Sequence, residues 1–163
     1  QFKRGFEIMN FFGIHLYPTL AVFLGCWPLF AVYDPTQQLS WLHGVGLLVG
    51  FVGIGFEYVA DNELVAFRTA DGRKREDVLD TGIWAYSRNP NYLGEMLFWF
   101  GVATCGFAAG GAWYSGLGAI GMVLLFVFAS IPMKEKRMLE RRPAFRTYQA
   151  RVPMLIPTGK RHP

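Results

Sequence analysis

Every lysine and arginine of this chain lies in one of three polar segments, and four apolar runs alternate with those segments. The apolar runs cover residues 9–33, 42–60, 92–109 and 113–131. Each is close to the ~20 residues that a helix needs to cross ~30 Å of hydrocarbon. Lys3 and Arg4 precede the first run. Arg68, Arg73, Lys74, Arg75 and Arg88 lie between the second and third, and the other nine basic residues, from Lys134 to Arg161, follow the fourth. None lies between runs one and two or between three and four, so all 16 fall on one side of a chain that crosses four times. A soluble helical domain has no reason to sort its charge in this way. The positive-inside rule then puts both termini and the 61–90 segment in the cytoplasm. The pattern predicts an all-α integral membrane protein of about four transmembrane helices with a basic, helical, cytoplasmic C-terminal segment. Nucleic-acid binding is excluded because the charge flanks apolar runs and forms no basic domain.

The third run opens on Ser87-Arg88-Asn89-Pro90-Asn91-Tyr92-Leu93-Gly94-Glu95. Asn89 suits an N-cap and Pro90 the first helical position, so a helix is predicted from Pro90. Its N-terminus, with Arg88 beside it, forms an anion site suited to phosphate. Asn91 and Glu95 lie one turn apart on one face. A carboxylate at the mouth of an apolar run is expensive unless it has a task, and an amide–carboxylate pair suits a nicotinamide carboxamide or a ribose.

The second run ends with a polar stripe. Glu57, Asp61 and Arg68 fall within a ~40° arc of a helix, because offsets of 4 and 11 residues nearly complete whole turns. The stripe reads as one wall of a ligand pocket, or as an interfacial charge ladder that ends the span. The 69–81 loop is polar and is positioned to close over a ligand. Beyond the fourth run the basic stretch has Met138, Phe145 and Tyr148 as apolar anchors and Pro143 as a break. It reads as two short helices on an anionic leaflet, or as a cover in which Arg137, Arg141 and Tyr148 face a nucleotide. Pro18 is expected to kink the first helix. His15 reads as a packing residue, whereas His43 and His162 read as terminal and solvated. Cys26 and Cys105 read as core fillers. No metal-binding spacing, GxSxG, Walker loop, HExxH or GxGxxG is present, so a bound nucleotide would not use a Rossmann unit.

Asp80-Thr81-Gly82-Ile83-Trp84-Ala85-Tyr86 continuing through Ser87 to Glu95 resembles the signature of the steroid 5α-reductase-like membrane family and its bacterial relatives. Glu57-Tyr58-Val59-Ala60-Asp61 with Arg68, and Ile131-Pro132-Met133-Lys134-Glu135 through Tyr148 to Pro157, resemble two further family blocks in the same order. The resemblance implies an integral membrane oxidoreductase that uses NADPH to reduce a carbon–carbon double bond conjugated to a ketone in a steroid-like or other lipophilic substrate. By the same resemblance, Asp61, Arg68, Asn91 and Glu95 contact the cofactor, with Arg88 and Tyr92 near it. Glu57 stands where animal members carry Asn. Arg137 and Arg141 fall where relatives use His and Tyr, and Tyr148 belongs to the same segment. The expected setting is a bacterial inner membrane. Because family members have further helices upstream, the chain is expected to be a single membrane domain, the C-terminal cofactor-binding part of a longer reductase. The Arg-x-Pro-x-Tyr-x-Gly-Glu core is shared with isoprenylcysteine and phospholipid methyltransferases, so a methyltransferase using S-adenosylmethionine is the alternative. A non-enzymatic membrane subunit that keeps the fold is a third.

Overall fold

A computed structural model of the chain describes residues 16–33, 36 and 38–158. Among these residues all regular structure is helical. The helices are α1 (Tyr17–Cys26), α2 (Pro28–Val32), α3 (Trp41–Thr69), α4 (Pro90–Ala108), α5 (Leu117–Leu125), α6 (Ile131–Arg141) and α7 (Phe145–Arg151). A 3₁₀ turn, Gly82–Ala85, precedes α4, and a second, Trp113–Gly116, leads into α5.

Among the described residues, two helices are long and apolar enough to cross a membrane. They are Trp41–Thr69 and the continuous helical stretch Trp113–Arg141, whose most apolar 18-residue windows have mean hydropathy 1.6 and 2.1. The second spans α5, a wider π-helical segment at Phe126–Ser130, and α6. Pro132 withholds one backbone donor just beyond that widened turn. The other expected crossings are weaker. Tyr17–Val32 is a shorter apolar helix, and the 19 residues of α4 begin with the polar Asn91 and Glu95. Large apolar side chains, including Leu47, Leu48, Phe51 and Phe128, stand exposed on the long helices.

The residues pack as two compact units. In the first (the described residues up to Phe51, with 98–125), α1 packs on α5. Gly118 lies against the backbone of Leu24 and Gly25, leaving no room for a side chain, and the Tyr17 hydroxyl donates to Gly121 O at 3.0 Å. The apolar helix is interrupted at Trp27-Pro28, where α1 gives way to α2. His43 is buried, not solvated. It lies in the first turn of α3, and its Nδ1 accepts the Ser40 N–H at 3.0 Å. α4 ends in a Schellman turn: Gly110 takes φ +74°, and the Gly111 N–H donates to Gly106 O at 2.8 Å. His15 and His162 lie outside the described residues.

In the second unit (residues 52–97 and 126–163), α3 and α4 cross at Gly94. A Cβ at Gly94 would sit 2.6 Å from Gly53 O and 2.7 Å from Glu57 N, so only glycine permits this approach. The 69–81 loop folds back on α3. It buries Leu79 with Ala60 and Trp84, and Trp84 Nε1 donates to Ala60 O at 3.1 Å. Phe145, Tyr148 and Val152 form a second buried cluster against Val78, Met138 and Leu139. The aromatic anchors of the basic segment therefore pack into protein. Pro143 does separate two helices as expected.

Gly94→Val should destabilise the fold by about 1–3 kcal/mol through overpacking, visible as a lower melting temperature in detergent. Gly55→Ala, at an α3 position with open space around it, should leave melting unchanged or raise it slightly.

Candidate functional site

The second unit holds a cavity of about 250 Å³. Leu64, Phe67 and Arg68, one turn of α3, line one wall, and Val78 and Leu79 of the loop close it above Trp84. Arg88, Asn91 and Tyr92 come from the start of α4. Lys134, Met138 and Arg142 lie at four-residue steps along and just past α6, with Phe145 and Tyr148 beside them. The lining thus carries four cations, Arg68, Arg88, Lys134 and Arg142, and no acid.

The polar groups are held in different ways. Glu135 is buried, with 7 % exposure. Its carboxylate accepts from Arg88 Nε at 2.8 Å, Arg88 Nη2 at 3.2 Å, Gln149 Nε2 at 2.7 Å and Asn89 Nδ2 at 3.4 Å. Arg88 Nη1 donates to Gln149 O at 2.8 Å and Val152 O at 2.6 Å, so the Arg88 guanidinium is committed to protein partners. Its expected part in an anion site at the helix mouth is therefore not what its hydrogen bonds serve. Asn89 stands just before α4 as expected, and its side chain also reaches beyond the helix. Its Nδ2 donates to Met154 O at 3.0 Å, and its Oδ1 accepts from Lys134 Nζ at 2.6 Å. Lys134 Nζ also lies 5.2 Å from the ring centroids of both Trp84 and Tyr92, within cation–π range. Tyr92 stacks on Phe126 with centroids 4.7 Å apart.

Tyr148 is buried, and its hydroxyl donates to Trp84 O at 2.6 Å. Burial pushes its pKa above the ordinary tyrosine value, so it stays a neutral donor. Asn91 Oδ1 is buried and has no hydrogen-bond partner. A buried carboxamide oxygen without a donor costs about 1–3 kcal/mol, and this one belongs to a residue that lines the cavity.

Of the residues singled out from sequence, Arg68, Arg88, Asn91, Tyr92 and Tyr148 come together around this cavity. Glu57, Asp61 and Glu95 are not among its lining residues. Arg137 and Arg141 are exposed on α6 and are absent from the lining as well. Lys134, Arg142 and Trp84 line it without having been singled out. The i, i+4, i+8 spacing of Lys134, Met138 and Arg142 was the available signal, because it puts all three on one helical face.

The chain belongs to the DUF1295 family, described as a protein of unknown function, whose model matches residues 2–152. No curated protein and no solved structure matches the chain.

Removing one partner of the Arg88–Glu135 pair leaves a buried charge uncompensated. Arg88→Met should cost about 3–5 kcal/mol of stability, and the Arg88→Met/Glu135→Met double variant should recover part of that loss. Denaturant unfolding of the three proteins in detergent checks both outcomes.

Proposed function

We propose that this DUF1295 member is a membrane-embedded, NADPH-dependent reductase of a carbon–carbon double bond conjugated to a ketone in a lipophilic substrate. The observation that carries the reading is the charge of the cavity: Arg68, Lys134 and Arg142, beside the Glu135-paired Arg88, with no acid in the lining. Such a wall suits the phosphates of a dinucleotide. It opposes the sulfonium cation of S-adenosylmethionine, which the alternative reading requires. In this proposal the four expected crossings, with the basic segments and termini in the cytoplasm, set the cavity where a soluble nucleotide reaches it.

The residues present fit a nicotinamide dinucleotide in three respects. Arg68, Lys134 and Arg142 offer cationic donors to phosphate oxygens. The buried Asn91 Oδ1 lacks a donor, and a carboxamide N–H of the ligand supplies one. The Trp84 and Tyr92 rings, which line the cavity, give flat apolar surface for a ring. A cavity of about 250 Å³ holds one end of such a molecule, with the rest along the 69–81 loop. When bound, the cofactor supplies a hydride to the β carbon of the enone, and a proton completes the reduction at the α carbon. The chain's own residues bind and orient: the cations fix the phosphates, Asn91 fixes the carboxamide, and the Phe145–Tyr148 wall limits water. Asp61 and Glu95, outside the cavity lining, fit contacts to the more distal, ribose-bearing parts.

The purified protein in detergent should bind NADPH and oxidise it when given a lipophilic enone. Asn91→Ala should weaken NADPH binding roughly tenfold, the loss of about one hydrogen bond, with little change in melting temperature. Binding of S-adenosylmethionine without NADPH would sink the proposal. Loss of stability alone in Asn91→Ala, with no nucleotide bound by the parent protein, would favour the structural-subunit reading.

A further inference from the structure

Three arginines from separate segments meet around Phe67. Arg68 and Arg142 line the cavity beside it, and the Arg73 guanidinium carbon sits 4.8 Å from the centroid of the Phe67 ring. Arg73 belongs to the loop, one residue after Gly72, which turns with φ +74°. Among the described residues the ion pairs are Arg88–Glu135 and Arg151–Asp80, so none of these three arginines is neutralised by one. Asp77, whose charge acts on Arg142, is engaged: its Oδ2 accepts the Lys74 N–H at 2.7 Å. Arg73 Nε is buried and has no hydrogen-bond partner.

We propose that Arg73, with Arg68 and Arg142, forms a binding site for a phosphate monoester, and that Arg73 is the residue that selects ligands carrying one. The geometry fits this chemistry. A monoester presents three terminal oxygens and close to two negative charges at neutral pH, which matches converging guanidinium forks better than a singly charged diester does. Stacking on Phe67 fixes the plane of the Arg73 fork while its Nε still lacks an acceptor. The Arg142 pKa is lowered by burial and then by the Arg73 and Arg68 charges, with Asp77 opposing and Arg141 adding a smaller push. An anion at this point relieves that repulsion.

Two sources carry such a group: the ribose phosphate that distinguishes NADPH from NADH, and the head group of phosphatidic acid in the facing leaflet. The first rests on the reductase reading above, and the second does not.

The test is titration calorimetry of the whole protein in detergent with NADPH, NADH and 2′,5′-ADP, and flotation with phosphatidylcholine vesicles with and without phosphatidic acid. With the nucleotide as source, Arg73→Ala should weaken NADPH and 2′,5′-ADP between roughly tenfold and a hundredfold, the range for charge-assisted hydrogen bonds, and leave NADH unchanged. Arg73→Lys should restore only part of the affinity. Arg142→Ala should act in the same direction, which covers a folding failure of either variant. With lipid as source, phosphatidic acid should recruit the protein in an Arg73-dependent way whatever the nucleotides do. Equal binding of NADPH and NADH by the parent protein, together with recruitment indifferent to phosphatidic acid, overturns the site while leaving the reductase reading standing. Failure of every nucleotide with Arg73-dependent lipid recruitment does the reverse. Failure of all ligands overturns both.

Discussion

The buried Glu135 carboxylate is the group on which the second compact unit depends. A carboxylate taken out of water is costly unless its oxygens are met by donors. Here Arg88 and Asn89, together at the mouth of α4, and Gln149 on α7 meet them. Arg88 also donates to Gln149 O and Val152 O, and the Arg88 N–H to Pro153 O at 3.0 Å. One charge thus ties the mouth of α4 to α6, to α7 and to the strand of chain after it. The Phe145–Tyr148 wall of the cavity stands where that network holds it. Such a network specifies an arrangement as much as it stabilises one.

Close helix approach sets the same geometry from the other side. Gly94 lets α4 lie against α3 at Gly53 and Glu57, which brings the first turn of α4 to the turn of α3 bearing Leu64, Phe67 and Arg68. In the loop, Gly82 takes φ +58° beside the Glu63 carboxylate, which accepts the Ile83 N–H at 3.0 Å. That anchor fixes the 3₁₀ turn and so Trp84, whose indole reaches Ala60 O. Two glycines and one carboxylate therefore place the floor of the cavity before any ligand-facing side chain is considered.

Helix type and the principal boundaries were legible in the sequence, because Asn89-Pro90 and Gly110-Gly111 are local signals whose steric reasons operate within one turn. Half of the site was legible for the same reason: Asn91 and Tyr92 follow a helix start that the sequence marks. His43 was misread because its burial depends on packing that no local pattern reports, although Ser40 three residues earlier is a fitting partner. The interruption at Pro28 follows from a proline inside an apolar helical run, where its missing N–H breaks the ladder. Arg88 was read as a ligand group because its partner Glu135 is 47 residues away, and an ion pair at that separation leaves no trace in either segment.

The motif from Arg88 to Glu95 divides between scaffold and site. Arg88, Asn89 and Gly94 are spent on the Glu135 network, on Met154 O and on the helix crossing, whereas Asn91 and Tyr92 line the cavity. A segment most of whose polar and small residues serve folding can recur in membrane enzymes of different chemistry without fixing the reaction. That is the physical reason why the motif on its own leaves both the reductase and the methyltransferase reading open. The proposed ligand discrimination rests elsewhere, on Arg68 of α3 and on Lys134 and Arg142 along and just past α6, whose charges face one another with no acid in the lining. Like charges held together in a cavity are destabilising when the cavity is empty and become favourable when an anion enters, so their arrangement speaks to the ligand in a way that a folding motif does not.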